Sequence, residues 1–291
     1  MSFRGIFPYL VSPVDPATGA VREAVLRRLV EHLVAAGVHG LSPLGSTGES
    51  PYLNGEQRAE IVRVTVAAAG GRVPVVPGVA AFATQDAIDQ ARRYVAAGAD
   101  GIVLILQQYF PLSRAAVAGF FRDVAAAVPS CPIVLYSNPR LAGVGLPADL
   151  VAELAEIPNV QYFKEASGQT GEILTVLNRS PRIKVFSASA HIPLTVLQLG
   201  GVGWMAGPAC LLPRACVALY DLAAAGEWER AMVVQRRLWR VNEIFSKHGL
   251  AACVKAGLEL QGFEVGPPLA PQLPLPEAAV AEIAEALRAA S

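Results

Sequence analysis

Ala97-Gly98-Ala99-Asp100-Gly101, followed at once by the apolar run Ile102-Val103-Leu104-Ile105-Leu106, is the stretch that decides the fold. A glycine that ends an Ala-rich amphipathic segment reads as a left-handed helix cap, after which the chain returns tightly into a strand. A strand that is apolar throughout suits a parallel sheet covered by helices on its face. The same signature stands upstream as Ala36-Gly37-Val38-His39-Gly40 and, more loosely, downstream as Leu199-Gly200-Gly201-Val202-Gly203. The first two copies lie about 60 residues apart, which fits two βα units of roughly 30 residues each.

Outward from these copies the alternation continues. Strands are expected over 5–11, 40–44, 73–79, 101–106, 133–136, 160–164, 184–187 and 203–206. Helices are expected between them over 21–36, 54–69, 84–97, 113–128, 147–154, 170–178 and 192–199. Ser113 and Thr84 suit N-cap positions, and Pro147 suits the first helical position, where a missing N–H costs nothing. No GxGxxG follows the first strand, which argues against an open doubly wound sheet. Eight βα alternations with apolar strands predict an α/β (β/α)₈ TIM barrel. After Pro213 the pattern is all helical, over 214–225, 227–246, 251–260 and 277–290, with a Pro/Gly-rich connection at 266–276. The expected organisation is therefore a barrel over 1–212 and a barrel-closing helix with a C-terminal helical extension over 213–291.

The chain has 291 residues, 53% hydrophobic and 16% charged, enough for one large core. Its 24 acidic and 24 basic side chains balance, which excludes nucleic acid or an anionic membrane surface as the main partner. Cys131, Cys210, Cys216 and Cys253 show no CxxC spacing and read as reduced core residues. The N-terminus has no signal-peptide pattern, and no uncharged run approaches the ~18 residues needed to span a bilayer. A cytoplasmic protein that buries apolar surface internally and between subunits, as a homo-oligomer, is expected.

In such barrels chemistry gathers at the C-terminal ends of the strands. Those ends carry Gly45-Ser46-Thr47-Gly48-Glu49, then Gln107-Gln108-Tyr109-Phe110-Pro111, Tyr136-Ser137-Asn138-Pro139, Lys164 and Met205-Ala206-Gly207. Lys164 closes the mostly apolar Val160-Gln161-Tyr162-Phe163. At the ordinary lysine pKa, a neutral amine at pH 7 is disfavoured by roughly 4–5 kcal/mol. Burial removes the water that stabilises the charge and so makes the amine a nucleophile toward carbonyls. The competing reading is a lysine that points into solvent or pairs with Glu165. A phenol such as Tyr136 or Tyr109 can shuttle protons, and hydroxyls beside N–H donors can hold the carboxylate of a 2-oxo acid. The run from Gly40 to Thr47 nearly spells a phosphate loop but lacks its lysine at position 46, so nucleotide binding is not expected. His39 and His191 have no neighbouring ligand partner, and neither HxH nor HExxH occurs, so no metal site is expected.

Together Gly45-Ser46-Thr47-Gly48-Glu49, Tyr136-Ser137-Asn138-Pro139, Phe163-Lys164-Glu165-Ala166 and the interval from Tyr136 to Lys164 resemble the dihydrodipicolinate synthase / N-acetylneuraminate lyase family of Schiff-base aldolases. The resemblance runs from Phe7-Pro8-Tyr9 to the C-terminal helices. It implies a lyase in which Lys164 forms an imine with pyruvate or another 2-oxo acid, with no further cofactor. It implies that Tyr136 is the proton shuttle, that Gly45, Ser46 and Thr47 bind the keto-acid carboxylate, and that Met205 lies against the bound acid. Tyr109 matches a second tyrosine that reaches the site from a neighbouring protomer of a tight dimer within a tetramer, linked to the shuttle through Ser46 and Thr47.

The chain departs from the family pattern around the second substrate, an aldehyde. Leu141 stands where the synthase has the arginine that binds the aldehyde's carboxylate, and Arg140 sits one residue early. Ala188-Ser189-Ala190 replaces a common Gly-Asp-Asp, Gln107-Gln108 a common Pro-Tyr, and Cys210 a common asparagine. A pyruvate-dependent aldolase or lyase is expected, and genuine 4-hydroxy-tetrahydrodipicolinate synthase activity is not. The alternatives are a 2-keto-3-deoxy sugar-acid aldolase or dehydratase, an N-acetylneuraminate lyase-like enzyme and, from another class, a non-catalytic keto-acid-binding barrel.

Overall fold

Residues 2–143 and 145–290 are described by the computed structural model, without the side chain of Leu141. Among the described residues seven parallel strands form one sheet: β1 (Gly5–Pro8), β2 (Gly78–Ala81), β3 (Ile102–Leu106), β4 (Ile133–Ser137), β5 (Val160–Glu165), β6 (Lys184–Ser187) and β7 (Gly203–Ala206). Their order is β1-β7-β6-β5-β4-β3-β2. The strand expected over 40–44 is reduced to two isolated parallel bridges, Tyr9↔Ser42 and Leu41↔Val75. Its sequence explains the reduction: Pro43 has no N–H, Leu44 turns to φ 64°, and Pro74 and Pro77 interrupt the partner segment. Hydrogen bonds nevertheless cross both gaps, Ser42 N–H to Pro8 O at 2.9 Å and Val76 N–H to Leu41 O at 2.8 Å. The segment therefore joins the two edge strands, and the sheet curls back on itself.

The glycine caps behave as the repeats predict. Gly37, Gly98 and Gly200 have φ of 86°, 97° and 93° in the order Gly37, Gly200, Gly98, each just past a helix end. Ser113 caps helix Arg114–Ala127 by accepting from Ala116 N–H at 3.2 Å. Two boundaries fall one residue away from expectation. Thr84 is the first residue of its helix and Ala83 is the cap, while Pro147 is the cap before helix Ala148–Leu154.

Strand alternation divides the core in two. Phe3, Phe7, Tyr9, Val76, Val103, Val134, Tyr162, Phe186 and Met205 fill the inside of the curled sheet. Ile6, Leu104, Leu135, Phe163, Val185 and Trp204 face outward, into the layer between sheet and helices. The latter half of the chain adds helices Pro213–Ala224, Trp228–His248, Leu250–Leu260 and Glu277–Ala290, whose apolar faces join the outer core. All four cysteines are free and buried. Burial pushes the Cys131 thiol up to about 11 and those of Cys210 and Cys253 up to about 12, out of the range of a reactive thiolate at neutral pH. Among the described residues no helix is long and apolar enough to cross a membrane.

Candidate active site

Register sets the centre of the site. Tyr136 on β4 pairs with Lys164 on β5, and Lys164 with Phe186 on β6. Tyr162 and Lys164 alternate with Phe163 and Glu165, so the lysine points inward, one layer above the aromatic plug of Tyr162 and Phe186. Lys164 is 4% exposed. Its Nζ lies 3.4 Å from the centre of the Tyr136 ring and 4.4 Å from that of Tyr9. Two ring faces favour an ammonium by up to about 2 kcal/mol. Removing an ammonium from water costs several kcal/mol even after relaxation. Burial therefore wins, and the Lys164 pKa falls well below the ordinary lysine value. Glu165 does not offset this. Its carboxylate faces outward and accepts from Ser167 N–H at 2.6 Å and Gly168 N–H at 3.1 Å.

Tyr136 Oη accepts a hydrogen bond from Asn138 Nδ2 at 2.7 Å, which fixes the phenol beside the amine. Burial pushes its pKa up to about 12, against the pull of that hydrogen bond. The phenol therefore stays protonated at neutral pH and available as a donor. A second phenol sits across the lysine. Tyr9, at the end of β1, is buried, its hydroxyl donates weakly to Met205 Sδ at 3.9 Å, and its pKa is raised by burial and by Tyr136.

The loop after the 41–42 bridges supplies the hydroxyls. It runs between two residues in left-handed conformation, Leu44 at φ 64° and Glu49 at φ 53°, each costing of order 1–3 kcal/mol. Ser12 Oγ donates to Gly48 O at 2.6 Å and holds the loop from below. Thr47 is buried, and its Oγ1 has no hydrogen-bond partner among the described groups, an orphaned donor on the cavity wall. Ser46 is exposed on the same wall. Gly45 is required by packing, because a Cβ there would lie 2.2 Å from Tyr9 Cδ1. Gly45→Ala should therefore displace the Tyr9 ring and destabilise the fold by about 1–3 kcal/mol. Denaturant titration checks this: a lower midpoint at unchanged slope is expected, and an unchanged midpoint would show that the ring gives way freely.

Lys164, Tyr136, Ser46, Thr47 and Met205 all line one cavity of about 710 Å³ at the C-terminal ends of the strands. Gly45 lies behind it against Tyr9. Tyr109 does not line it. It is 81% exposed and packs edge-on against the equally outlying Phe110 at 4.9 Å. Other wall residues escape sequence reading. Tyr9 belongs to an apolar run, and only its inward alternation with Phe7 signals it. Trp239, Asn242 and Ser246 come from one face of helix Trp228–His248, far along the chain. His191 also lines the wall, edge-on to Trp239 at 6.0 Å. His39 instead accepts from Ile6 N–H at 3.2 Å, outside the cavity. Arg140 reaches the same cavity as the lysine, and Ser167 and Ser189 stand beside it. Among the described residues the wall contains no carboxylate, and no group of His, Cys, Asp and Glu is arranged to hold a metal. The arrangement can hold an anion near an amine whose pKa burial lowers, with a protonated phenol to move protons.

A model of the dihydrodipicolinate synthetase family matches residues 2–290. The chain is 34% identical over 279 residues to a protein of Methanospirillum hungatei named 4-hydroxy-tetrahydrodipicolinate synthase, covering 95% of this chain and 94% of that one. It is 33% identical over 269 residues to a DapA-like lyase of Halobacterium salinarum, covering 92% and 87%. Among solved structures it resembles YagE, a prophage protein of the dihydrodipicolinic acid synthase family from E. coli K12, crystallised in complex with pyruvate. The TM-score is 0.92 at 28% identity over 98% of each chain.

Proposed function

The chain belongs to the dihydrodipicolinate synthetase family and is an aldolase-type lyase, and from that premise we propose that it joins or releases pyruvate through an imine on Lys164. The observation that carries this reading is the amine itself. Lys164 is buried, faces two tyrosine rings, opens on the cavity, and has no hydrogen-bond or ion-pair partner among the described residues. A binding module needs no such amine, which speaks against the non-catalytic alternative.

The chemistry follows from the groups present. The neutral Lys164 amine attacks C2 of pyruvate, and the carbonyl oxygen takes a proton from Tyr136 to give a carbinolamine. The amine proton passes back to the phenoxide, water leaves, and an imine remains. Tyr136 then protonates the imine nitrogen and, as phenoxide, takes a C3 proton, giving an enamine whose C3 attacks the aldehyde carbon while the same phenol protonates the aldehyde oxygen. Water then attacks the imine carbon, freeing the product and restoring the amine. The orphaned Thr47 hydroxyl and Ser46 hold the carboxylate, and Met205 packs beneath it. Tyr9 and Asn138 keep Tyr136 and Lys164 in place. We read the curled sheet as a (β/α)₈ barrel over 1–212 and the helices from 213 to the C-terminus as its closing helix and extension.

The expectation against 4-hydroxy-tetrahydrodipicolinate synthase activity is not borne out. The curated relatives cited carry that name or that of a DapA-like lyase, and Arg140 lines the cavity although the Leu141 side chain lies outside the described residues. A carboxylated aldehyde is thus the first acceptor to assay. One observation favours a second reading, aldol cleavage or dehydration of a 2-keto-3-deoxy sugar acid: Ser167, Ser189, Asn242 and Ser246 offer neutral polar groups suited to a polyhydroxylated chain. Assay of the pyruvate-loaded enzyme with aspartate semialdehyde and with short hydroxyaldehydes separates the two. Turnover of the first alone supports the synthase, turnover of the second alone the sugar-acid enzyme, and turnover of neither, with pyruvate bound, contradicts both.

Tyr109 enters this scheme from a second protomer of a homo-oligomer. Lys164→Ala and Tyr109→Phe should each lose most activity, and mixing the two after dissociation and reassembly should restore part of it. That complementation arises only when one protomer's tyrosine serves its neighbour's lysine. A mixture no more active than its parts would return Tyr109 to a surface role.

A further inference from the structure

Outside the cavity one buried charge pair has no part in the chemistry above. Glu49 and Lys255 meet at 2.6 Å with side chains 0% and 1% exposed. Lys255 lies on helix Leu250–Leu260 and also donates to Pro267 O at 2.8 Å. The other carboxylate oxygen of Glu49 accepts from Leu269 N–H at 2.6 Å and from Gln272 Nε2 at 2.7 Å. Two hydrogen-bond donors and the Lys255 ammonium, all from the C-terminal segment, thus converge on one carboxylate. That carboxylate belongs to the last residue of the hydroxyl loop, two positions from Thr47, and Glu49 N–H donates back to Ser46 O at 3.1 Å.

A buried ion pair adds little net stability over apolar residues of the same size, but it tolerates only one arrangement of its donors. The loop it ends is held in left-handed backbone at both limits, so its shape is not self-maintaining. We propose that Glu49 and Lys255 are positioning residues that set the Ser46–Thr47 hydroxyls at the keto-acid carboxylate, so that the C-terminal helical segment governs pyruvate affinity without touching pyruvate. The proposal rests on the imine reading given above. It requires that loosening the pair weaken binding of the 2-oxo acid and leave the chemical step at saturation intact.

The test is borohydride trapping of Lys164 across a pyruvate series, read as the half-saturating concentration and the rate at saturation, alongside thermal melts. Gln272→Ala removes one half-buried donor and should fold normally. Its half-saturating concentration should rise about threefold, less than the ~10-fold scale of a hydrogen bond to a charged acceptor because Leu269 N–H and Lys255 still hold the carboxylate, with the saturating rate unchanged. The charge-free pair Glu49→Gln with Lys255→Met should raise it about tenfold or more, since charge-assisted bonds are lost, while melting no lower than Lys255→Met alone, which leaves a buried carboxylate unpaired. Wild-type half-saturation in Gln272→Ala, or in a well-folded charge-free pair, overturns the positioning role and leaves the imine reading standing. A fall in saturating rate with unchanged half-saturation overturns it too. Wild-type protein that is not trapped at all defeats the imine reading and the positioning role with it.

Discussion

Lys164→Ala is expected to abolish covalent capture of pyruvate and to lower turnover by ~10⁴-fold or more, because the nucleophile's contribution is not shared out among its neighbours. Tyr136, Tyr9 and Thr47 would remain in place, yet none offers an amine. The same position carries a stability signature. The folded protein holds Lys164 at a pKa well below the ordinary 10.5, through burial, whereas the unfolded chain releases it to that ordinary value. Between the two pKa values the unfolded chain binds more protons, so stability rises with pH across that window. Below the folded pKa the penalty is present in full. Lys164→Met, which keeps the stem and deletes the charge, should therefore melt higher than the wild type at neutral pH. Its advantage should shrink as the pH approaches 10.5. Melts at two pH values check this, and an equal or lower melting temperature at both would show that the lysine is not desolvated as its surroundings require.

Tyr136→Phe is the second large effect. Removing the hydroxyl leaves the ring face toward Lys164 but deletes the proton relay and the acceptor for Asn138 Nδ2. Turnover should fall about 10²- to 10⁴-fold, the usual weight of a positioned acid–base group. The fold should hold, because Asn138 still caps the helix that follows by accepting from Arg140 N–H at 3.1 Å. Slow trapping of pyruvate on Lys164 should persist, since the amine is intact. Rapid-quench trapping separates the two effects: slower approach to the same end point is expected, whereas undiminished turnover would remove the shuttle role from Tyr136.

The two central residues were legible because both follow short apolar runs and fall at strand ends, where inward alternation is forced. Apolar runs and glycine stops likewise made the helices readable to within about two residues. The strand at 40–44 misled because hydrophobicity is blind to a missing N–H; Pro43 and Leu44 cut its ladder after two bridges. Tyr9 was hidden inside an apolar run that looks uniform until the inner and outer faces are separated. Trp239, Asn242 and Ser246 were hidden for another reason. They reach the cavity only once helix Trp228–His248 has packed over the strand ends, and nothing local marks them. Glu49 shows the same limit, since one of its partners, Leu269, is 220 residues away. The substrate-determining half of the site depends on such distant contacts far more than the imine half does.

Every role assigned to the cavity depends on Lys164 capturing a 2-oxo acid as a nucleophilic amine. Intact-mass analysis and peptide mapping of the wild-type protein after incubation with pyruvate and borohydride test it most directly. A single 1-carboxyethyl group on Lys164, absent without pyruvate and absent in Lys164→Ala, is the predicted result. An unmodified chain, or modification spread over exposed lysines with Lys164 spared, would contradict it.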